Sequence, residues 1–103
     1  MTSRHYICTL NNPTEDAQST LESIFNRVKA TYLIGQLEKG KEGTIHLQFS
    51  VNFKNAVRTS VFKGIPLHAE KVNRDNGVYE YCSKEDTRLE GPWEFGVKPV
   101  RRC

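Results

Sequence analysis

An α+β fold, a central five-stranded antiparallel sheet with flanking helices, follows from three features of this 103-residue chain. Ile45, Leu47, Phe49, Val51 and Phe53 fall on every second residue, the period of a half-buried strand. Leu21, Ile24, Phe25 and Val28 form one apolar stripe at helical spacing. Between these segments Tyr32-Leu33-Ile34-Gly35-Gln36-Leu37-Glu38 reads as a strand, and the Gly-rich Lys39-Gly40-Lys41-Glu42-Gly43 reads as a hairpin turn.

Taken in order, a first strand runs into the turn Asn11-Asn12-Pro13-Thr14, and a helix follows from about Glu15 to Lys29 with Thr14 as its cap. The strand to Glu38 and the alternating strand form the hairpin. A five-residue loop at 39–43 pairs Glu38 with Thr44, Gln36 with His46 and Ile34 with Gln48. Leu33, Leu37, Ile45 and Phe49 then share the core side. A four-residue loop would turn Leu37 onto the polar face, so the hydrophobic pattern selects the odd loop. A second helix is expected from about Asn55 to Phe62, a strand around Leu67–Val72, a helix over Arg74–Glu85 weakened by Asn76 and Gly77, and a last strand near Trp93–Val97. Helices cover one face, and the helix carrying Tyr81 lies over the other.

The polar parity of the alternating strand holds His46, Gln48, Ser50 and Asn52, and the odd loop adds Glu38 to that side. Glu38, His46 and Gln48 thereby form a carboxylate, imidazole and amide set. Mixed oxygen and nitrogen ligands suit Mn²⁺ or Mg²⁺, with Mn²⁺ the readier to accept the imidazole. Zinc is the weaker expectation, because Cys8, Cys82 and Cys103 contain no Cys-x-x-Cys pair. His5 and His68 stand outside the alternation of His46 and are read as ordinary structural or solvated histidines. Near the end, Tyr81 and Lys84 in Tyr81-Cys82-Ser83-Lys84 are three residues apart and share one helix face, with Val78 one turn before. Glu85 is read as a solvated acid at the helix end and Trp93 as a core anchor.

Composition narrows the function classes. The net charge of +3 is only mildly basic, and Lys98, Arg101 and Arg102 carry an amount equal to it, which leaves the body near neutral. Any contact with nucleic acid must come from local patches, for which Lys54, Arg58, Lys63, Lys71 and Arg74 are the candidates. No stretch approaches the roughly 18 apolar residues of a membrane span, so a soluble protein with no membrane partner is expected. Scattered cysteines and the lack of a signal peptide point to reduced thiols inside a cell. No Gly-x-x-x-x-Gly-Lys-[Ser/Thr] phosphate loop occurs, which excludes a nucleotide-driven motor of that type in these residues.

Three ordered segments together carry a resemblance: Cys8-Thr9-Leu10-Asn11-Asn12-Pro13, then Glu38 with His46-Leu47-Gln48, then Tyr81-Cys82-Ser83-Lys84 through Glu90-Gly91-Pro92-Trp93-Glu94-Phe95-Gly96. The chain resembles, from about Arg4 to Gly96, the nuclease domain of the replication initiator (Rep) of small circular single-stranded DNA viruses, with nanovirus, alphasatellite and circovirus Reps as the nearest kinds.

The resemblance implies a ferredoxin- or RRM-like HUH endonuclease fold, in the variant where Gln48 replaces the second histidine. It implies an endonuclease domain at 1–97 followed by a basic C-terminal tail or linker at 98–103. By position Glu38, His46 and Gln48 match the metal ligands, Tyr81 the nucleophile and Lys84 its assisting lysine. Thr9, Asn11 and Asn12 match a first motif close to DNA. Cys8 stands where many relatives carry an aromatic residue, a change expected to affect packing more than chemistry. The implied activity is nicking and rejoining of single-stranded DNA at a stem-loop origin through a 5′-phosphotyrosyl intermediate, starting rolling-circle replication in the host nucleus, with a helicase domain as partner in the full-length protein. The rival from another class is a noncatalytic RRM-type module for single-stranded nucleic acid. Such a module exposes sheet aromatics for stacking. Here Phe49 and Phe53 share the parity of the core.

Overall fold

The computed structural model describes residues 2–40, 42–72, 82 and 85–98. Five strands, β1 (Thr2–Asn11), β2 (Tyr32–Lys39), β3 (Ile45–Arg58), β4 (His68–Lys71) and β5 (Arg88–Gly96), form one sheet, joined by the helix α1 (Ala17–Val28) and a 3-10 turn at Thr59–Phe62. The spatial order is β4-β1-β3-β2-β5, and every neighbouring pair is antiparallel. The expected α+β sheet is therefore present. The two strands that flank β3 carry the first motif and the carboxylate.

Alternation divides the sheet into two faces. Tyr6, Cys8 and Leu10 of β1, Leu33 of β2, and Leu47, Phe49, Val51 and Phe53 of β3 are buried against Ala17, Leu21, Ile24 and Val28 of α1. Tyr6, Phe53 and Phe62 meet edge to face, closing the core at the β3 end. Trp93 and Phe95 of β5 pack on its rim, as a core anchor should. Ile45 departs from expectation. It sits at the start of β3, beyond the cover of α1, and is exposed.

The hairpin keeps a five-residue loop, but the loop begins one residue later than the glycine pattern suggests. Lys39 pairs with Ile45, leaving 40–44 as the turn, closed by the Gly40 N–H to the Thr44 carbonyl at 2.8 Å. The register thus shifts by two from the expected pairing: Glu38 lies opposite His46, Gln36 opposite Gln48 and Ile34 opposite Ser50. A shift of two preserves which face each side chain occupies. Gly35 permits this pairing, since a Cβ there would lie 2.4 Å from the Cβ of its partner Phe49.

Other boundaries moved for local reasons. Asp16, not Thr14, caps α1, its carboxylate accepting from the Ser19 N–H at 2.9 Å. Lys29 ends the helix in the left-handed conformation. The expected helix over 55–62 is instead the end of β3 and the 3-10 turn. Asn55, Val57 and Thr59 are weak helix formers, eight residues cannot sustain an isolated helix, and Thr2 and Ser3 offer a pairing edge to Arg58 and Val57. β5 begins five residues before Trp93 because Pro92, which lacks an N–H, is tolerated on an edge strand. The expected helix at 74–85 falls almost wholly outside the described residues.

Gly35→Ala is expected to destabilise the domain by about 1–3 kcal/mol through overpacking against Phe49. Asp16→Ala is expected to cost about 1 kcal/mol. Denaturant midpoints at unchanged slope check both.

Candidate active site

Strand parity and the β2–β3 register gather the chemistry-bearing groups on the face opposite α1. Even-numbered residues of β2 and β3 and odd-numbered residues of β1 point there, so Glu38, His46 and Asn11 form one row and Gln36, Gln48 and Thr9 the next. β4 continues the second row, with His68 opposite Thr9.

His46 Nε2 and Glu38 Oε1 are 3.2 Å apart. The other carboxylate oxygen, Oε2, accepts from the side-chain amide of Gln36 at 2.7 Å. Glu38 is only 2% exposed, so its charge depends on these two partners. Gln48 stands beside them but engages β1: its Oε1 accepts from the Thr9 hydroxyl at 3.3 Å and its Nε2 donates to the Cys8 carbonyl at 3.2 Å. Those contacts fix the amide orientation and leave Oε1 as the group on the Thr9 side.

The donor set fits a hard or borderline divalent cation. Among the described residues no three His, Cys, Asp or Glu side chains group together. The Gln48 amide is the neutral oxygen donor in the row next to His46 and Glu38. An imidazole nitrogen, a carboxylate oxygen and an amide oxygen match Mn²⁺ or Mg²⁺ better than structural zinc.

The rest of this face is drier than a solvated polar surface. Gln36, Ser50 and Asn52 are buried, and Tyr32, Ile34 and Cys82 form a small second cluster with Ile7 packed against it. Cys82, next in sequence to Tyr81, is fully buried there. Tyr32 donates from its hydroxyl to the Glu94 carboxylate across to β5. Cys8 lies on the α1 side, and burial pushes its thiol well above the usual range, helped by Cys82. It stays protonated and acts in packing.

Other candidates scatter. Tyr81, Lys84 and Arg74 lie outside the described residues. Asn11 is next to His46, and Asn12 follows β1 with φ of 51°. Lys54 and Arg58 are exposed on the far half of β3, eight and twelve residues along the strand from His46. Lys71 is the register partner of the core residue Tyr6, and Lys63 follows the 3-10 turn on the α1 side. None of these four lysines and arginines joins the His46 row. Glu85 is a largely exposed acid, 3.9 Å from Arg88. His5 is buried and, contrary to expectation, shares the polar face, paired with Asn52. His68 does too, bonded to Glu70 at 2.9 Å in the open. Gln36 is the residue bonded to Glu38 to which pattern reading gave no role. Its parity with Glu38 was the available signal.

Known proteins resemble this chain over most of its length. The family model described as "Putative viral replication protein" matches residues 3–85. The chain is 39% identical over 102 residues to the "Master replication protein" of banana bunchy top virus and 43% identical over 101 residues to that of faba bean necrotic yellows virus, covering 90% of this chain in each. It is 38% identical over 85 residues to the "Replication-associated protein" of beak and feather disease virus, covering 80% of this chain. The chain spans about a third of the length of these relatives, 32%, 32% and 29% respectively. With a family model matched over most of its length and its sheet, site row and first motif in place, the chain belongs to the viral replication protein family.

Proposed function

We propose that this domain nicks and rejoins single-stranded DNA at a viral stem-loop origin, using Tyr81 as nucleophile beside a divalent cation held by Glu38, His46 and Gln48. The observation that carries the reading is the His46–Glu38 contact, an imidazole and a nearly buried carboxylate at 3.2 Å, with the Gln48 amide on the same face of the sheet. A Mn²⁺ or Mg²⁺ ion bound there supplies the Lewis acidity that a phosphodiester anion requires before a nucleophile can approach.

The protein's own groups perform the remaining work. Gln36 fixes Glu38 through Oε2 and leaves Oε1 on the His46 side. Thr9 holds Gln48. Buried Tyr32, Ile34 and Cys82 exclude water from the adjoining part of the face. A tyrosine hydroxyl titrates near 10, so only about one in a thousand is phenolate at neutral pH. Lys84 stabilises the phenolate, and the Tyr81 proton passes to solvent. The Tyr81 oxygen bonds to phosphorus as the bond from phosphorus to the 3′ oxygen breaks, giving a 5′-phosphotyrosyl protein and, after protonation, a 3′-hydroxyl. The reverse attack by a 3′-hydroxyl restores the diester and frees Tyr81. Because one diester replaces another, no nucleotide triphosphate is consumed. In the full-length protein a helicase domain and a nuclear setting complete origin firing.

Phe49 and Phe53, which an RRM-type platform would expose, are buried under α1, which disfavours the noncatalytic reading. No described helix is long and apolar enough to cross a membrane.

Tyr81→Phe is expected to abolish the covalent adduct with a single-stranded origin oligonucleotide, seen as loss of the shifted band on a denaturing gel; an adduct that survives would contradict the assignment. Gln36→Leu is expected to weaken Mn²⁺ binding about 10- to 100-fold, measured by paramagnetic resonance or calorimetry without DNA, while Tyr81→Phe leaves that affinity unchanged.

A further inference from the structure

Behind the first motif lies a cleft of about 360 Å³ between α1, the β1–α1 turn and the segment entering β4. Its volume is at the lower end of the ~300–1,000 Å³ range of small-ligand sites. We propose that it receives one nucleobase of the DNA strand next to the scissile bond, an inference that rests on the proposed function and names a specificity subsite for it.

Position is the first argument. Asn11, the register partner of His46, and Asn12 line the cleft, so it opens at the end of β1 next to the His46 row but on the α1 side of the sheet. A strand that passes His46 and turns over the end of β1 meets its rim.

Chemistry is the second. Ile24, Ile65 and Pro66 give the cleft apolar walls suited to a base plane. Arg27 stands at its edge, one Nη donating to the Lys63 carbonyl at 3.0 Å. Gly64, with φ of +86°, makes room for that guanidinium, since a Cβ there would lie 2.8 Å from Nη2. A guanidinium has five N–H donors, so one anchoring bond leaves others for a ligand. Glu15 lines the same cleft and supplies an acceptor. A carboxylate would repel a phosphate, whereas an acceptor and a donor across apolar walls match the mixed edge of a base, with Glu accepting from an exocyclic amine and Arg donating to ring acceptors. The occupant is a base rather than the backbone.

The isoleucines make the test internal. Ile24 and Ile65 line the cleft, while Ile7 and Ile34 lie on the candidate active face. Tyr81→Phe protein labelled at the isoleucine methyls is titrated in saturating Mg²⁺ with a pool of random single-stranded oligonucleotides of about ten nucleotides, then with single deoxynucleosides, then with inorganic phosphate. The inference expects the oligonucleotides to shift both pairs of methyls, the nucleosides to shift Ile24 and Ile65, and phosphate to leave those two unmoved. Ser23→Trp, an exposed substitution on α1 that fills the cleft, is expected to remove the Ile24 and Ile65 response and weaken oligonucleotide binding about tenfold, with Mn²⁺ affinity unchanged. Shifts at Ile7 and Ile34 with none at Ile24 and Ile65 would overturn the cleft and leave the proposed function standing. Shifts at Ile24 and Ile65 alone would support the cleft and count against the active face. No shift anywhere overturns both, and an equal response to phosphate overturns base recognition.

Discussion

The register between β2 and β3 is the constraint on which the rest of the molecule depends. It is set at two places: by Gly35, whose missing Cβ lets β2 lie against Phe49, and by the turn at 40–44, which makes Lys39 and Ile45 the last pair. Given those, Glu38 must lie opposite His46 and Gln36 opposite Gln48. A slip of β2 by one residue would send Gln36 and Glu38 into the α1 core and bring Leu37 out, away from His46 and Gln48. Fold stability and site geometry are thus one requirement, since the same pairing that buries Leu33 and Phe49 assembles the donors.

The polar face gives that requirement its functional meaning. Water usually covers such a face, yet here Gln36, Glu38, Ser50 and Asn52 are buried. Burial of polar groups is tolerable only with partners, and Glu38 has them in Gln36 and His46. The consequence is electrostatic. For the proposed nicking reaction, a low effective dielectric would strengthen each interaction with a phosphate anion, and fixed donors would need no reorganisation when charge moves. The cluster of Tyr32, Ile34 and Cys82 seals part of this face, and it ties the residue following Tyr81 in sequence directly to the sheet.

Much of this was legible from the chain. Period-two alternation placed Phe49, Val51 and Phe53 in the core and His46 and Gln48 opposite, and the odd hairpin loop put Glu38 with them. What escaped has physical causes. Parity is blind to a shift of two, so Glu38 was matched to Thr44 rather than His46. Gln36 figured only as a pairing partner, because what sets it apart is a hydrogen bond to a neighbour on its own strand. The end of β3 read as helix because its partner residues, Thr2 and Ser3, lie more than fifty positions away. Asp16 beat Thr14 as cap because the helix begins two residues later than its composition suggested. Nothing in the sequence pattern singles out Arg27, and only the fold brings Lys63 and Gly64 to it.

The central claim is that Glu38, His46 and Gln48 hold one divalent cation. Anomalous diffraction at the manganese edge from crystals grown with Mn²⁺ tests it most directly. The account expects a single strong peak bonded to His46 Nε2, Glu38 Oε1 and Gln48 Oε1, with the Gln36 bond to Oε2 retained. A Mn²⁺ peak elsewhere, or no peak with the His46–Glu38 contact still closed at saturating Mn²⁺, would contradict it.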